Sequence, residues 1–247
     1  MKRKKFNQLI LSLGITSSLF PYFSYSKTKT LKYDYLLGKS SIHTVSYKQH
    51  QLEEQTLQAF LKMKDAALKD GIELSIVSAF RSFERQKAIF EKKFQKNMLT
   101  SSSRLEAIQK ITTYSSIPGT SRHHWGTDLD LIDHKVDLPN NGLLLEENYL
   151  KNGAFHSMYK WMKKNAHLYG FIEAYPNNHK TRNGYFFEPW HYSYQPVSQI
   201  YLKDYIENEM ILCVKDQPTI GLSDLPNSFF ENYQNKFILG IHKNLLP

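Results

Sequence analysis

The 247-residue sequence has a single cysteine, Cys213. One cysteine excludes an intramolecular disulfide and any zinc site made of several thiolates. Because Cys213 lies far from the N-terminus, it also cannot serve as the lipid-attachment cysteine of an exported lipoprotein. We expect it to be buried as a small hydrophobic residue.

Internal repeats and low-complexity tracts are also missing. Hydrophobic residues make up 41% of the chain and charged residues 22%, a composition that predicts a folded protein rather than a disordered one. The length suits one domain with a sizeable core. Basic residues are scattered, with neither a basic stripe nor a nucleic-acid motif, so we expect no nucleic-acid partner.

The first 26 residues differ from the rest of the chain. Residues 2–5 are all basic, residues 9–20 are mostly apolar, and small residues follow at 24 and 26. This order is typical of a secretory signal peptide, and the apolar run is shorter than the roughly 20 residues that a spanning helix needs. Cleavage after residue 26 would remove 4 of the 32 basic residues and none of the 23 acidic ones, lowering the net charge from +9 to +5. An uncleaved N-terminal anchor is the alternative.

Helical and strand patterns follow one another without a regular βαβ rhythm. This mixture predicts an α+β fold with a small antiparallel sheet flanked by helices. We expect a lead-in over 27–50, a main domain over 51–195 and a C-terminal extension over 196–247 that packs on it. The predicted elements are a helix from about 51 to 70, a strand over 72–76, a helix capped by Ser82, a strand over 127–132, a helix over 155–169 and a strand over 185–187.

Two blocks of the sequence contain the residues that a hydrolytic metal site requires. Such a site commonly has three protein ligands from histidine, aspartate or glutamate and leaves one position for water. His123 and Asp130 lie in the first block, where Gly126 lets the backbone fold back between them. His191 lies in the second block, three residues after Glu188, a carboxylate that could act as a general base.

These blocks resemble the paired signature of the VanY-like zinc D-alanyl-D-alanine carboxypeptidases, which have the Hedgehog/DD-peptidase fold. The usual signature is Ser-x-His-x-x-Gly-x-Ala-x-Asp followed by Glu-x-x-His. A third block resembles the Tyr-Arg-Ser-x-x-x-Gln segment of that family. The matching residues here are Ser121, His123, Gly126 and Asp130, then Glu188 and His191, and the segment from Ser78 to Gln86.

The resemblance implies a role for each of these residues. One Zn²⁺ ion would be bound by His123, Asp130 and His191, and Glu188 would be the general base. Arg81 would face the substrate carbonyl or its terminal carboxylate, because a guanidinium can bind two oxygens at once. Gln86 and Ser121 would also contact the substrate, and 51–195 would be the zinc peptidase domain.

The implied function is a D,D-carboxypeptidase that removes terminal D-alanine from peptidoglycan stem peptides. The protein would be exported to the periplasm or cell envelope, would be a monomer, and would have no stable membrane span after signal cleavage. An L,D-carboxypeptidase, a D,D-endopeptidase and a non-catalytic peptidoglycan-binding protein remain alternatives, and manganese or iron could replace zinc. A serine D,D-peptidase is disfavoured because the two Ser-x-x-Lys strings, at Ser24 and Ser157, have no accompanying Lys-Thr-Gly.

Two positions depart from the family pattern. Asp128 replaces the usual alanine, and on a strand it shares a face with Asp130. We expect Asp128 to accept a hydrogen bond from a ligating histidine. The alternative is a solvated carboxylate. Phe80 replaces a tyrosine and so lacks the hydroxyl. His124, next to His123, is expected to line the pocket or face water.

Overall fold

The structure is a computed structural model that describes residues 33–177 and 182–247. The predicted signal peptide over 1–26 lies outside the described residues, as does the beginning of the lead-in. Within the described ranges, no helix is both long enough and apolar enough to cross a bilayer.

Antiparallel pairing builds every sheet in the described part of the chain. The strands are β1 (Thr44–Tyr47), β2 (His50–Glu53), β3 (Leu74–Ser78), β4 (Asp128–Asp133), β5 (Phe171–Glu173) and β6 (His191–Tyr194). Strands β1 and β2 form a hairpin, and the other four form a sheet in the order β3-β4-β6-β5. Every pair in this sheet is antiparallel, which confirms the predicted sheet type.

Helices surround this sheet, and side-chain caps define where several of them begin. In chain order they are α1 (Glu54–Lys69), α2 (Phe83–Met98), α3 (Arg104–Thr112), α4 (His156–Asn165), α5 (Gln195–Glu207), α6 (Met210–Lys215) and α7 (Asn227–Tyr233). Ser82 caps α2 by accepting a hydrogen bond from the Arg85 amide, as predicted, and Ser103 caps α3 in the same way. Such caps satisfy amide groups that have no partner within the helix. The α+β prediction is confirmed.

The strand predicted over 185–187 is wrong. These residues alternate in burial, since Tyr185 and Phe187 are buried while Phe186 is 47% exposed, and this alternation mimics a strand. The segment has no partner strand in the described residues, and β6 begins only at His191. The hairpin of β1 and β2 and the helix α3 were not predicted.

Two clusters of buried side chains form the core. One cluster lies between α1, α4 and the four-stranded sheet, and includes Phe60, Leu131 and Met158. The other joins α2 and α3 to the helices that follow residue 195, and includes Phe90 and Phe230. Cys213 belongs to this second cluster and is buried, as predicted.

Candidate metal centre and its cavity

The register of the sheet brings Asp130 and His191 together. Asp130 on β4 is the direct partner of His191 on β6 and of Ser78 on β3. Residues directly opposite each other in a sheet have side chains on the same face, about 4.5–5.5 Å apart at their Cβ atoms. Two residues that are 61 positions apart in sequence therefore become neighbours through strand pairing alone.

A short 3₁₀ turn over Arg122–Trp125 brings His123 to the same place. The turn ends at Gly126, whose φ of 68° is in the left-handed region, where glycine is strongly favoured. A Cβ atom on Gly126 would also lie 2.9 Å from the Glu53 backbone nitrogen. His123 Nδ1 lies 2.9 Å from the Ala79 carbonyl oxygen, and this contact turns Nε2 towards Asp130.

The three predicted ligands offer atoms that lie within 4.8 Å of one another, and all three residues are buried. His123 Nε2 is 3.3 Å from Asp130 Oδ2, and His191 Nδ1 is 3.6 Å from Asp130 Oδ1. Asp130 Oδ1 is buried and makes no hydrogen bond with the described residues. A buried carboxylate oxygen without a donor is costly unless a cation or another donor satisfies it, so the donor set fits a divalent ion.

Glu188 contacts this set through a tight turn. The His191 amide donates a hydrogen bond to the Glu188 carbonyl oxygen at 3.1 Å, and Pro189 occupies the second position of that turn, where its fixed φ is favourable. The turn places Glu188 Oε2 3.0 Å from His191 Nδ1. The carboxylate therefore lies beside the nitrogen that faces Asp130.

The donor set opens into a cavity of about 710 Å³. His123, Asp130, His191, Glu188, Arg81 and Ser121 all line this cavity. Gln86 does not: it is fully buried, and its Oε1 accepts a hydrogen bond from Arg81 Nη1 at 3.0 Å. The structure therefore places Gln86 behind Arg81, where it orients the guanidinium together with Ser78, whose Oγ accepts from Arg81 Nη2 at 3.0 Å.

Asp128 lies behind His191, away from the cavity. It is fully buried, and its Oδ1 is 3.0 Å from His191 Nε2. This placement agrees with the hydrogen bond predicted from sequence and excludes a solvated carboxylate. Burial alone raises the pKa of Asp128, but Arg122 and the His191 hydrogen bond outweigh burial and hold the pKa below its usual range.

His191 lies between Asp128 and Glu188, and both carboxylates affect its protonation. Burial alone lowers the pKa of His191, but the hydrogen bonds with these two carboxylates raise it to about 10. A metal ion binds the neutral imidazole, so metal binding at Nδ1 must displace the proton from that nitrogen.

His124 does not line the cavity or face water, which corrects the sequence-based expectation. It is fully buried, its Nδ1 lies 2.6 Å from the Arg81 carbonyl oxygen, and its Nε2 accepts a hydrogen bond from the Gly119 amide. Because its two nitrogens contact the backbone of Arg81 and of Gly119, the ring holds the backbone of Arg81 in place. We call this the bracing role of His124. Burial lowers the pKa of His124 to about 3, so the ring stays neutral.

Replacing His124 with alanine should lower the free energy of unfolding by about 2–4 kcal/mol, because it leaves a cavity and removes the hydrogen-bond partner of the buried Gly119 amide. Denaturant unfolding of the purified protein measures this loss. The exposed His134 provides the matched control, and His134→Ala should unfold like the wild type. Equal stability of the two variants would refute the bracing role.

Sequence reasoning also missed several side chains of the cavity. Arg122, Lys93 and Tyr175 line it, and Tyr175 packs edge-on against the His191 ring with centroids 4.9 Å apart. None of the three is at a fixed position of the family motifs, and Arg122 is at the variable position between Ser121 and His123. For Arg122 a signal was present, since it directly precedes His123 and an unexpected acid, Asp128, follows six residues later.

Comparison with known proteins identifies the family. The family model described as VanY, D-alanyl-D-alanine carboxypeptidase, matches residues 49–197, more than half of the chain. The chain belongs to the VanY family.

Among VanY relatives, YodJ of Bacillus subtilis is 34% identical over 145 residues, which cover 58% of this chain and 46% of YodJ. A D-alanyl-D-alanine carboxypeptidase of Enterococcus faecalis is 27% identical over 153 residues, which cover 59% of this chain and 52% of that protein. The chain thus spans about half the length of these relatives. The chain is also similar to a solved structure of a variant of the vancomycin resistance D,D-pentapeptidase VanY in complex with Zn(II). The two sequences are 22% identical, the TM-score is 0.49, and the match covers 66% of this chain and 88% of the other chain.

Proposed function

We propose that this VanY-family chain is a zinc-dependent carboxypeptidase that removes terminal D-alanine from peptidoglycan stem peptides. The observation that carries the proposal is the convergence of His123, Asp130 and His191 at one end of a cavity, with Glu188 against His191. Two imidazole nitrogens and one carboxylate oxygen are a donor set typical of hydrolytic zinc sites. The roles of these residues, and one zinc ion per chain, are part of the proposal.

Zinc, when bound, acidifies water and polarises a carbonyl group. Glu188 takes the proton of the attacking water and later delivers it to the departing amine of D-alanine. Its contact with His191 keeps the carboxylate next to the donor set rather than in solvent. Burial of all three ligands limits the access of bulk water to this end of the cavity.

Arg81 is proposed to bind the substrate. Its guanidinium lines the cavity and is oriented by Gln86 and Ser78, so little side-chain entropy is left to lose on binding. A planar guanidinium can bind both oxygens of a terminal carboxylate. Ser121 lines the same cavity and is proposed to contact the peptide, while Gln86 acts through Arg81.

The place of action is proposed on the same grounds. A family that acts on peptidoglycan peptides requires export, and the basic and apolar N-terminal segment suits a secretory signal. We therefore propose that the protein acts in the periplasm or cell envelope. We also propose that it acts as a monomer.

Release of D-alanine from defined muropeptides tests the proposal. The substrates are a stem pentapeptide ending in D-Ala-D-Ala, a tetrapeptide ending in one D-alanine, and a cross-linked dimer. We expect the zinc-loaded full chain to shorten the pentapeptide by one residue, and a chelator to abolish the reaction until zinc is restored. Mass spectrometry of the products and metal analysis of the protein provide the two readouts.

Each other outcome contradicts a particular part of the proposal. Exclusive cleavage of the tetrapeptide would replace it with L,D-carboxypeptidase activity, and exclusive cleavage of the dimer with endopeptidase activity. Binding of the muropeptides without any cleavage by the zinc-loaded protein would favour the non-catalytic alternative.

A further inference from the structure

A buried ion pair connects all the segments that bear the candidate metal ligands. Arg122 Nε donates to Asp128 Oδ1 at 2.8 Å, and the two side chains are 3% and 0% exposed. Arg122 directly precedes His123, and Asp128 lies two residues before Asp130 on β4. Asp128 also contacts His191 on β6, so the pair contacts or adjoins each of the three ligands.

The surroundings of Asp128 fix the position of its carboxylate. Oδ2 accepts hydrogen bonds from Thr127 Oγ1 at 2.8 Å and from Ser193 Oγ at 3.0 Å. Ser193 is the direct partner of Asp128 across β4 and β6. Arg122 is held as firmly, because its Nη2 donates to Ser193 Oγ at 2.6 Å and its guanidinium lies 4.9 Å from the centre of the Trp125 ring.

The position of this carboxylate determines which nitrogen of His191 is available to a metal ion. Asp128 faces Nε2, while Nδ1 faces Asp130 and Glu188. A carboxylate that accepts a hydrogen bond from the ring nitrogen that does not bind the metal fixes the orientation of a ligating histidine. Asp128 thus directs Nδ1 towards Asp130, and a metal ion bound at Nδ1 would leave the ring proton on Nε2, facing Asp128.

Arg122 holds the Asp128 carboxylate in the position from which it contacts His191. Arg122 Nε and His191 Nε2 both contact Asp128 Oδ1, at 2.8 and 3.0 Å. Removing one partner of such a buried ion pair leaves an uncompensated charge and is strongly destabilising. Neither residue suffices alone, since Asp128 orients the imidazole and Arg122 fixes the position of Asp128.

We propose that Arg122 and Asp128 form a positioning pair that presents His191 Nδ1 to the metal ion. Asp128 is at the position where the family pattern has alanine. The proposal rests on the metal site described under the proposed function. It assigns the pair to metal retention and not to contact with the substrate.

Zinc affinity in variants of the full chain, measured by competition with a chromophoric chelator, tests this role. Asp128→Ala should weaken zinc binding by roughly 10- to 100-fold, and Asp128→Asn, which keeps an oxygen acceptor for His191, should lose less. The double variant Arg122→Leu with Asp128→Ala removes both buried charges, so its stability should recover relative to Asp128→Ala while its zinc affinity stays low. Wild-type zinc affinity in the double variant would overturn the proposal, because the pair would then act only on the fold.

Two further measurements separate positioning from general destabilisation. Glu173→Ala removes another buried carboxylate, one bonded to Lys163 and Tyr159 outside the cavity, and should lower the thermal unfolding midpoint without changing zinc affinity. Nitrogen-15 spectra of the histidines in the zinc-loaded wild type should show the His191 proton on Nε2. A proton on Nδ1 would overturn the proposal.

The outcome for the wild type keeps this inference distinct from the proposed function. A wild type that neither binds zinc nor releases D-alanine defeats the proposed function itself. A wild type that does both, alongside a double variant of unchanged zinc affinity, defeats only the positioning role.

Discussion

Replacing Glu188 with glutamine is expected to lower kcat for D-alanine release by about 10²- to 10⁴-fold. The amide is nearly isosteric but cannot accept the proton of the attacking water or return it to the leaving amine. Glu188 Oε2 lies 3.0 Å from His191 Nδ1. Unlike Asp128, the other carboxylate that contacts His191, Glu188 lines the cavity, and it is not itself grouped with the candidate ligands. Steady-state kinetics on the stem pentapeptide measures the loss.

Zinc content and KM show whether Glu188→Gln has lost only the general base or also the metal and substrate sites. Glu188→Gln should retain one zinc ion per chain and a KM close to that of the wild type, because the ligands and Arg81 remain. Glu207→Gln, an exposed glutamate on α5 paired with Lys203, makes the same change in net charge far from the cavity and should retain full activity. Activity within a few-fold of wild type in Glu188→Gln would show that another group moves the proton.

The sequence predicted the three residues of the candidate donor set because their pattern is local and chemical. The spacing of Asp128 and Asp130 on one strand put both on one face, and the structure agrees, with both side chains buried behind or beside His191. Gly126 was expected to reverse the chain between His123 and Asp130, and it has the positive φ that this requires. Strand pairing then supplied what no local pattern contains, namely the register that sets Asp130 opposite His191.

Features that depend on distant packing were not predictable in the same way. His124 could not be distinguished from a cavity residue, because its burial depends on the backbone of residues 81 and 119. The predicted strand at 185–187 failed for a related reason: alternating burial is necessary for a strand, but a partner strand is also required. The pairing of Arg122 with Asp128 likewise needs the turn and the strand together.

Arg81→Ala is expected to reduce kcat/KM by about 30-fold to several thousand-fold, since losing one partner of a buried charge-assisted contact costs about 2–5 kcal/mol. Arg81→Lys should recover only part of this loss, because an ammonium group cannot bind both oxygens of a carboxylate in one plane. If Arg81 binds the terminal carboxylate, the loss should appear mainly in KM. If it binds the scissile carbonyl as charge develops there, the loss should appear mainly in kcat.

A substrate with an amidated C-terminus decides between these two positions. It has no terminal carboxylate, so the wild type and Arg81→Ala should cleave it equally slowly if Arg81 binds that group. A large difference that persists on the amidated peptide would instead assign Arg81 to the scissile carbonyl.

Arg85→Ala, which removes an exposed guanidinium four residues later on α2, controls for the change in charge and should leave the kinetics of both substrates unchanged. Equal activity of Arg81→Ala and wild type on the free carboxylate substrate would exclude Arg81 from binding altogether, and Lys93, which also lines the cavity, would then be the residue to test for recognition of the peptide end.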